Sequence, residues 1–318
     1  MIHHFLINPA AGKGTLVDAL AARITRACEA RGANYRIHKT TRPGDATAYV
    51  RKAVAATEEK QRFYACGGDG TLCETINGAP LSANAEFAVI PIGTGNDFEK
   101  NFTVPENFFD IERQLDGTPT KIDLIRYNDR YAINMINIGF DCNVAKKTGE
   151  IKRSPLIPSG LAYVTGVAIN FCKPFGTPMH ITLADGTEIN ESLMLTAIAN
   201  GCYCGGGFKA TPRASLSDGL IDLCVIKKLS RAKFINLIGS YKKGTHLELE
   251  AAKDYISYYQ TPSVTFAFDK PTNICIDGEI EMTDRVEICS LPGALTFTVP
   301  EGSAMIQAAP AEEAVATV

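Results

Sequence analysis

The ten cysteines form no C-x-x-C pair, which excludes a zinc knuckle and a thioredoxin-type redox motif, and Cys202-x-Cys204 has no obvious partner ligands. The five histidines, His3, His4, His38, His180 and His246, show no metal-ligand spacing and complete no Ser/His/Asp set, so structural or exposed roles are expected for them. The opening Met1-Ile2-His3-His4 is not a signal peptide. A reducing, cytosolic compartment with mostly buried free thiols is therefore expected. No stretch is apolar enough to span a bilayer. The longest uncharged one of interest, residues 154–172, is interrupted by Ser154, Pro155, Pro158, Ser159 and two glycines. Thirty-two Lys and Arg against 35 Asp and Glu leave a net charge of −3, which argues against a dedicated nucleic-acid binder.

What is present suits a globular chain of two domains: 318 residues, 45% of them hydrophobic and 21% charged. The first third alternates strand and helix patterns. Residues 2–7, 35–38, 63–66 and 87–92 read as strands. Between them lie a helix with Leu16, Leu20, Ile24 and Ala27 at helical spacing, a helix capped by Asp45, and a helix from Leu72 to the Asn77-Gly78 stop. That alternation predicts a Rossmann-like, mostly parallel α/β layer over residues 1–124. From about residue 120 the pattern changes to strands: 122–127, 131–140, 180–183, 193–199, 220–226, 264–268, 273–276, 286–289 and 295–299. Turns at Asp185-Gly186, Asp218-Gly219 and Asp277-Gly278 punctuate them. This predicts an antiparallel β-sandwich over residues 125–299, with helices at 161–171 and 232–241, the latter capped by Ser230. Residues 300–318 are expected to pack back on the first domain or to fray.

Three glycine-rich turns follow strands of the α/β domain, where an open parallel sheet places its ligand crevice. Glycines let a backbone approach phosphate, and free N–H groups at a helix start bind it. The first turn, Asn8-Pro9-Ala10-Ala11-Gly12-Lys13-Gly14, is not a Walker A loop. Ile7 replaces the leading glycine, and Gly14 replaces the magnesium-binding Ser/Thr. It also lacks G-x-G-x-x-G, which disfavours a dehydrogenase. An ordinary turn after a strand is its alternative reading.

In the second turn, Gly67-Gly68-Asp69-Gly70-Thr71, a carboxylate among glycines would repel phosphate unless a metal ion bridges the two. A helix N-cap aspartate is the alternative. The third, Gly93-Thr94-Gly95-Asn96-Asp97, offers a hydroxyl, an amide and a carboxylate, or again a capped helix start. Asp277-Gly278-Glu279 places two carboxylates two residues apart, which on a strand would share a face and could divide base and positioning work. A hairpin turn with an exposed Glu is the alternative there.

Taken in order, these segments resemble the diacylglycerol kinase catalytic-domain family, in particular its compact bacterial lipid kinases, related to sphingosine and ceramide kinases. The resemblance rests on Asn8-Pro9-x-Ala-Gly-Lys13, Gly67-Gly68-Asp69-Gly70-Thr71-Leu72 and Pro91-Ile92-Gly93-Thr94-Gly95-Asn96-Asp97-Phe98. It continues through Asn200-Gly201, Gly205-Gly206-Gly207-Phe208, Pro212, Leu216-x-Asp218-Gly219-x-x-Asp222 and Asp277-Gly278-Glu279, covering nearly the whole chain.

It implies an active cleft between an ATP-binding α/β domain and a lipid-binding β-sandwich. Asn8, Pro9, Ala10, Ala11, Gly12, Thr40, Gly67, Gly68, Asp69, Gly70, Thr71, Leu72 and Thr94 would line the ATP site, with Asp69 acting on magnesium-bound phosphates. Asp97 would lie near the acceptor, Glu279 would be the general base, and Asp277 would support it. Asp218, with carbonyls of Ser215 and Leu220, would hold a structural Mg2+. Two departures stand out: Cys73 where the family has Asn, and Glu99-Lys100 where Ala-Arg is usual.

The expected activity is transfer of the ATP γ-phosphoryl group to a lipid hydroxyl, diacylglycerol first, to give phosphatidate. An NAD kinase-like enzyme and a non-catalytic nucleotide- or lipid-binding protein are the alternatives. No nucleic-acid partner is expected. Lys146, Lys147, Lys152, Arg153 and Lys173 flank the 154–172 segment with its Leu156, Ile157, Leu161 and Tyr163. That pattern suits peripheral contact with an anionic inner membrane face, or else a buried helix with solvated flanking charges.

Overall fold

The structure, a computed structural model, describes residues 1–12, 17–152, 162–173 and 175–306, with the backbone alone at Lys152 and residues 162–164. Expectations for Lys13, Gly14, Leu16, residues 153–161, the side chains of Lys152 and Tyr163, and residues 307–318 lie outside the described residues.

The N-terminal layer is β1 (Ile2–Ile7), α1 (Val17–Ala30), β2 (Asn34–Lys39), α2 (Asp45–Ala55), β3 (Gln61–Gly67), α3 (Asp69–Ile76) and β4 (Ala85–Pro91). The strands run parallel in the order β2-β1-β3-β4. Every residue of β3 and β4 is buried, as both faces of a parallel sheet require. Successive residues serve opposite faces. Phe5, Tyr64 and Ile90 pack under α1, whereas Leu6, Phe63 and Val89 pack under α2 and α3. Asp45 is the first residue of α2 rather than its cap. Gly44 holds the cap position at φ 79°, and the Asp45 carboxylate accepts from Thr41 N (2.8 Å) and Oγ1 (3.0 Å).

The chain continues through α4 (Ile111–Leu115), capped by Asp110, into β5 (Thr118–Tyr127), β6 (Arg130–Ala132), β7 (Met135–Gly139), α5 (Phe140–Lys152) and α6 (Ala162–Cys172). Then follow β8 (Thr177–Leu183), β9 (Glu188–Ala199), β10 (Ile221–Lys227), α7 (Arg231–Lys243), β11 (Ile256–Thr261), β12 (Ser263–Ile276) and β13 (Glu279–Val299). These strands form an antiparallel sandwich whose core gathers Ile136, Ile181, Ile198, Phe266 and Val286. The opposite face of β7, β9 and β10 carries α5 and α7 on a second cluster containing Phe140, Met194, Ile226 and Phe234. β13 joins the two parts: it pairs along β12 and β5, and its end meets β4 at Phe297–Phe87.

Several elements differ from the sequence reading. Residues 131–140 are not one strand. They break at Ile133 and Asn134, whose N–H groups turn to the Asp277 carboxylate, and Phe140 already starts α5. The stretches at 264–268 and 273–276 are one strand, as are those at 286–289 and 295–299. The register shifts near Pro271 and near Pro292-Gly293 show strands that bend at a missing N–H instead of ending there. β11 and α5 had no counterpart in the sequence reading. The division expected near residue 124 falls inside β5. Beyond β13 the chain returns to the first layer, with Thr103 N donating to Ala304 O and Ile306 N to Asn101 O, both at 2.8 Å.

Candidate active site

Two of the three glycine turns touch through backbone. Gly93 N donates to Gly67 O at 3.2 Å, and a Cβ on Gly93 would lie 2.5 Å from Gly68 Cα. The first turn is tied to the second by Asn8. Its Oδ1 accepts from Ala10 N (2.9 Å), bending the turn, and its Nδ2 donates to Thr71 Oγ1 (3.0 Å). Thr40 N donates to Ile7 O (2.9 Å), placing the end of β2 beside them.

Around these turns lies a cleft of about 680 Å³. Asn8 to Gly12, Thr40, Gly68, Gly70, Thr71 and Thr94 line it, joined from the second domain by Glu279. Gly67 and Leu72 do not line it: Gly67 closes β3, and Leu72 is fully buried in the core beneath. Glu74, Thr41 and Arg42 line it without having been singled out. Behind the loop, the Cys73 thiol reaches Tyr131 O at 3.8 Å, and Asn77 makes the closer contact. Its Nδ2 donates to Tyr131 O (2.9 Å), and its Oδ1 accepts from Tyr131 N (3.2 Å), pinning α3 to β6.

Asp69 is neither a bare cap nor a free phosphate-side acid. Gly68 occupies the cap position of α3, and the Asp69 carboxylate reaches across to accept from Asp97 N (2.9 Å) and Phe98 N (3.1 Å). It thereby shapes the third turn. Burial, then the Asp97 charge, raises its pKa above the ordinary carboxylate value. Buried Asp97 pairs with Lys100 (2.6 Å) and accepts from Gly206 N (2.8 Å), so this turn is docked to the second domain. Lys100 also donates to Gly95 O (2.8 Å). Glu99 is buried beside them, and burial, with Asp69 and Asp97 adding, pushes its carboxyl up to about 8.

Asp277 and Glu279 do not share a strand face. Asp277 and Gly278, at φ 44° and 94°, form the turn between β12 and β13, which sends the two side chains apart. Asp277 is buried and accepts from Ile133 N (2.8 Å), Asn134 N (3.2 Å) and Met135 N (2.9 Å); burial raises its carboxyl to about 6 against those three donors. Its acceptor sites are committed to positioning. Glu279 is half-exposed on the side of the glycine-rich cleft, where Arg130 approaches it at 3.5 Å.

On the loop before β10, Asp218 Oδ1 accepts from Leu220 N (3.0 Å). Buried Asp123, which the sequence reading missed, accepts from Gly219 N (2.6 Å) and Gly293 N (2.7 Å). Its signal was a lone carboxylate inside the apolar run Ile122-Asp123-Leu124. Packing against the loop, then the Asp123 charge, raises the Asp218 pKa.

Among the described residues no three His, Cys, Asp or Glu side chains gather as a ready cage. Magnesium needs less: one or two carboxylates, with water or phosphate oxygens. One carboxylate pair is close enough to fit that demand: Asp69 and Asp97 both lie within 4 Å of the place a Gly95 Cβ would take. Asp218 stands on its loop as a single carboxylate.

A second pocket, about 550 Å³ and mostly apolar, opens on the other side of the same residues. Asp69, Thr94, Gly95, Asp97, Asp277 and Gly278 form its polar end. Met194, Leu195 and Ile226 of the sheet and Phe140, Val144, Phe234 and Leu237 of α5 and α7 form the rest. Thr94 borders both this pocket and the glycine-rich cleft.

An α/β nucleotide-type layer, a β-sandwich and a polar cleft meeting an apolar pocket define the class. Residues 3–127 match the diacylglycerol kinase catalytic domain, and residues 134–299 match the YegS C-terminal NAD kinase beta sandwich-like domain. The chain belongs to this family of lipid kinases. It is 30% identical to the diacylglycerol kinase of Bacillus subtilis, over 86% of this chain and 88% of that one. It is 29% identical to a Chromohalobacter salexigens protein named probable lipid kinase YegS-like, over 93% of each. The fold is also that of a Bacillus anthracis diacylglycerol kinase crystal structure, with TM-score 0.70 and 23% identity over 94% of this chain and 97% of that one.

Proposed function

We propose that this protein is an ATP-dependent lipid kinase that phosphorylates diacylglycerol to phosphatidate. The observation that carries the reading is the meeting of the glycine-rich cleft and the apolar pocket at Thr94, with carboxylates on both sides. A nucleotide in the cleft and an acyl chain in the pocket would bring a γ-phosphate and a hydroxyl to one place.

Phosphoryl transfer asks for positioning and charge neutralisation. The turns of Asn8–Gly12 and 67–71 would cradle phosphates with backbone N–H groups. Asp69 and Asp97 would hold Mg2+, which when bound neutralises phosphate charge. Glu279 would take the proton of the acceptor hydroxyl, while Asp277 fixes the hairpin that carries it. Lys100 offsets charge at the mouth. Asp218, with carbonyls of Ser215 and Leu220, would hold a structural Mg2+ whose charge relieves the Asp218–Asp123 repulsion. Radiolabel transfer from ATP to a panel of lipid alcohols in mixed micelles tests the reading. No transfer to any of them, with ATP bound, overturns it.

Such an acceptor has to be met at a bilayer. No helix among the described residues is long and apolar enough to cross one. We therefore place the enzyme in the cytoplasm, peripheral to the inner membrane face, with the basic flanks of α5 and α6 toward anionic lipid. Lys147 is already paired with Glu150 (2.9 Å), which leaves Lys146 and Lys173 as the cationic contributions among the described side chains of those flanks. Binding to anionic vesicles that weakens with salt is the expected signature.

A further inference from the structure

Glu279 reaches the glycine-rich cleft from the first residue of β13 as a long, half-exposed side chain. Such a carboxylate samples several rotamers, and one that is to take a proton has to be held in the productive one. Among the described residues a single cation stands within salt-bridge reach of it: Arg130 Nη2 lies 3.5 Å from Glu279 Oε2. Arg130 does not line the cleft. It borders a separate surface pocket of about 640 Å³ with Thr47, Asn77 and Tyr131, so it reaches Glu279 from outside the nucleotide-type cleft.

The backbone that carries Arg130 is fixed on both sides. Arg130 opens β6, directly after the Asn128-Asp129 turn of the β5–β6 hairpin, where Asn128 stands at φ 49°. Asn128 N donates to Glu287 O (3.0 Å) and Asn128 Oδ1 accepts from Glu287 N (3.3 Å), which ties the turn to β13. The next residue, Tyr131, is held through both its backbone N and O by Asn77, which closes α3. The hairpin is thereby pinned to the helix that starts at the second glycine turn. The guanidinium lies 5.6 Å from the centre of the Tyr127 ring, and its Nη1 contacts Glu281 more closely than Nη2 contacts Glu279. Glu279 and Glu281 stand two residues apart on one strand, on one face and roughly 7 Å from each other. One planar fork spans both carboxylates, which a lysine could not do.

An exposed ion pair adds little to stability. Its effect here is on direction. Arg130 engages Oε2 and leaves Oε1 for a proton, while Glu281, taking the closer contact, keeps the guanidinium from closing on both oxygens of Glu279. We propose that Arg130 is the positioning residue of the Glu279 base and that Glu281 sets how tightly it holds. This rests on the reading of Glu279 as proton acceptor and names what aims it.

The test is steady-state kinetics with ATP varied at saturating diacylglycerol in mixed micelles. Arg130→Ala is expected to lower kcat about ten- to a hundredfold, the scale of a misaimed reacting group, with KM for ATP within about twofold of the wild type. Its melting temperature should stay within about 2 °C, since the pair is exposed. Free guanidinium ion at millimolar concentration should restore part of the lost kcat, and sodium chloride at the same concentration should not. Arg130→Lys, a point charge without the fork, should lose at least about threefold, and it carries the test should Arg130→Ala fail to fold. Glu281→Gln should lower kcat severalfold in the wild type and not at all in Arg130→Ala, as residues acting as a unit do. Undiminished kcat in Arg130→Ala or Arg130→Lys overturns the inference. So does a loss confined to KM for ATP, a guanidinium rescue no better than sodium chloride, or an equal Glu281→Gln effect in both backgrounds. Glu279→Gln separates the two readings: wild-type turnover there removes the base and this inference with it, whereas an inactive Glu279→Gln beside an unimpaired Arg130→Ala removes this inference alone.

Discussion

Gly93→Ala is the most direct probe of the contact between the second and third glycine turns. A methyl at this position would sit 2.5 Å from Gly68 Cα, 2.6 Å from Asn96 Oδ1 and 2.9 Å from Gly68 N. Two of those atoms are backbone, so no side chain can swing away. Restoring ordinary carbon contact requires the second and third turns to part by about 1 Å. Overpacking of this kind costs about 1–3 kcal/mol, which for a chain of this size lowers the melting temperature by roughly 2–5 °C. The larger effect is on turnover. The displaced turns carry Asp69 and Thr94, and a misplacement of about 1 Å is worth on the order of a hundredfold in rate. The control is Gly239→Ala in α7, where a Cβ meets nothing within 4 Å. That change should stabilise by about 0.5–1 kcal/mol through helix propensity alone. If the reasoning holds, calorimetry gives the two variants opposite signs, and steady-state kinetics fall for Gly93→Ala and stay at the wild-type level for Gly239→Ala. A Gly93→Ala protein that melts with the wild type and keeps its rate would refute the claim that backbone contact between the turns sets the site.

Asp69→Asn should lower turnover at least about a hundredfold, the scale on which removing one transition-state electrostatic group acts, and near-normal kinetics in a folded variant would remove Asp69 from the mechanism. Glu279→Gln should abolish transfer while ATP binding, followed by calorimetric titration, survives; loss of binding with full turnover at saturation would rule out the base role. Asp218→Ala should erase a magnesium-dependent rise in melting temperature, and a wild type whose melting ignores magnesium would leave no structural ion there. Asp141 has a native pKa near 6, above the unfolded value of about 3.9. Its contribution to stability is full below the unfolded value and is lost as pH rises through about 6. Asp141→Asn should therefore gain on the wild type in melts at about pH 8 relative to about pH 4, and a pH-independent difference would contradict the burial of that carboxyl.

The glycine turns were legible because glycine clusters after apolar runs have few other uses in a parallel sheet. Their mutual arrangement was not legible. Nothing in the spacing of Asp69 and Asp97 tells that one carboxylate holds the other's backbone N–H across 28 residues. Strand alternation misled at the hairpin, where positive φ at Asp277 turned that side chain inward and left Glu279 outside. The apolar pocket escaped the sequence for a different reason. Its walls come from α5, β9 and α7, whose apolar residues look like any core until the sheet fixes which of them face an opening. Asp141 shows the limit well: a first-turn acid is unremarkable in a sequence and conspicuous only once its surroundings are apolar.

β13 works as a lever. It carries Glu279 at one end and is clasped between β4 and β5 at the other; its register shifts against β12 between Thr283 and Arg285, and against β5 at a joint between Leu291 and Leu295. From Glu279 to that joint the arm measures at most about 40 Å, so a bend of about 5° would swing the carboxylate by roughly 3–4 Å, a whole reacting distance. Asp123 grips the joint through Gly293 N and, with its other oxygen, the Asp218 loop through Gly219 N. A single buried carboxylate thus ties the bend of the strand that carries Glu279 to the Asp218 loop.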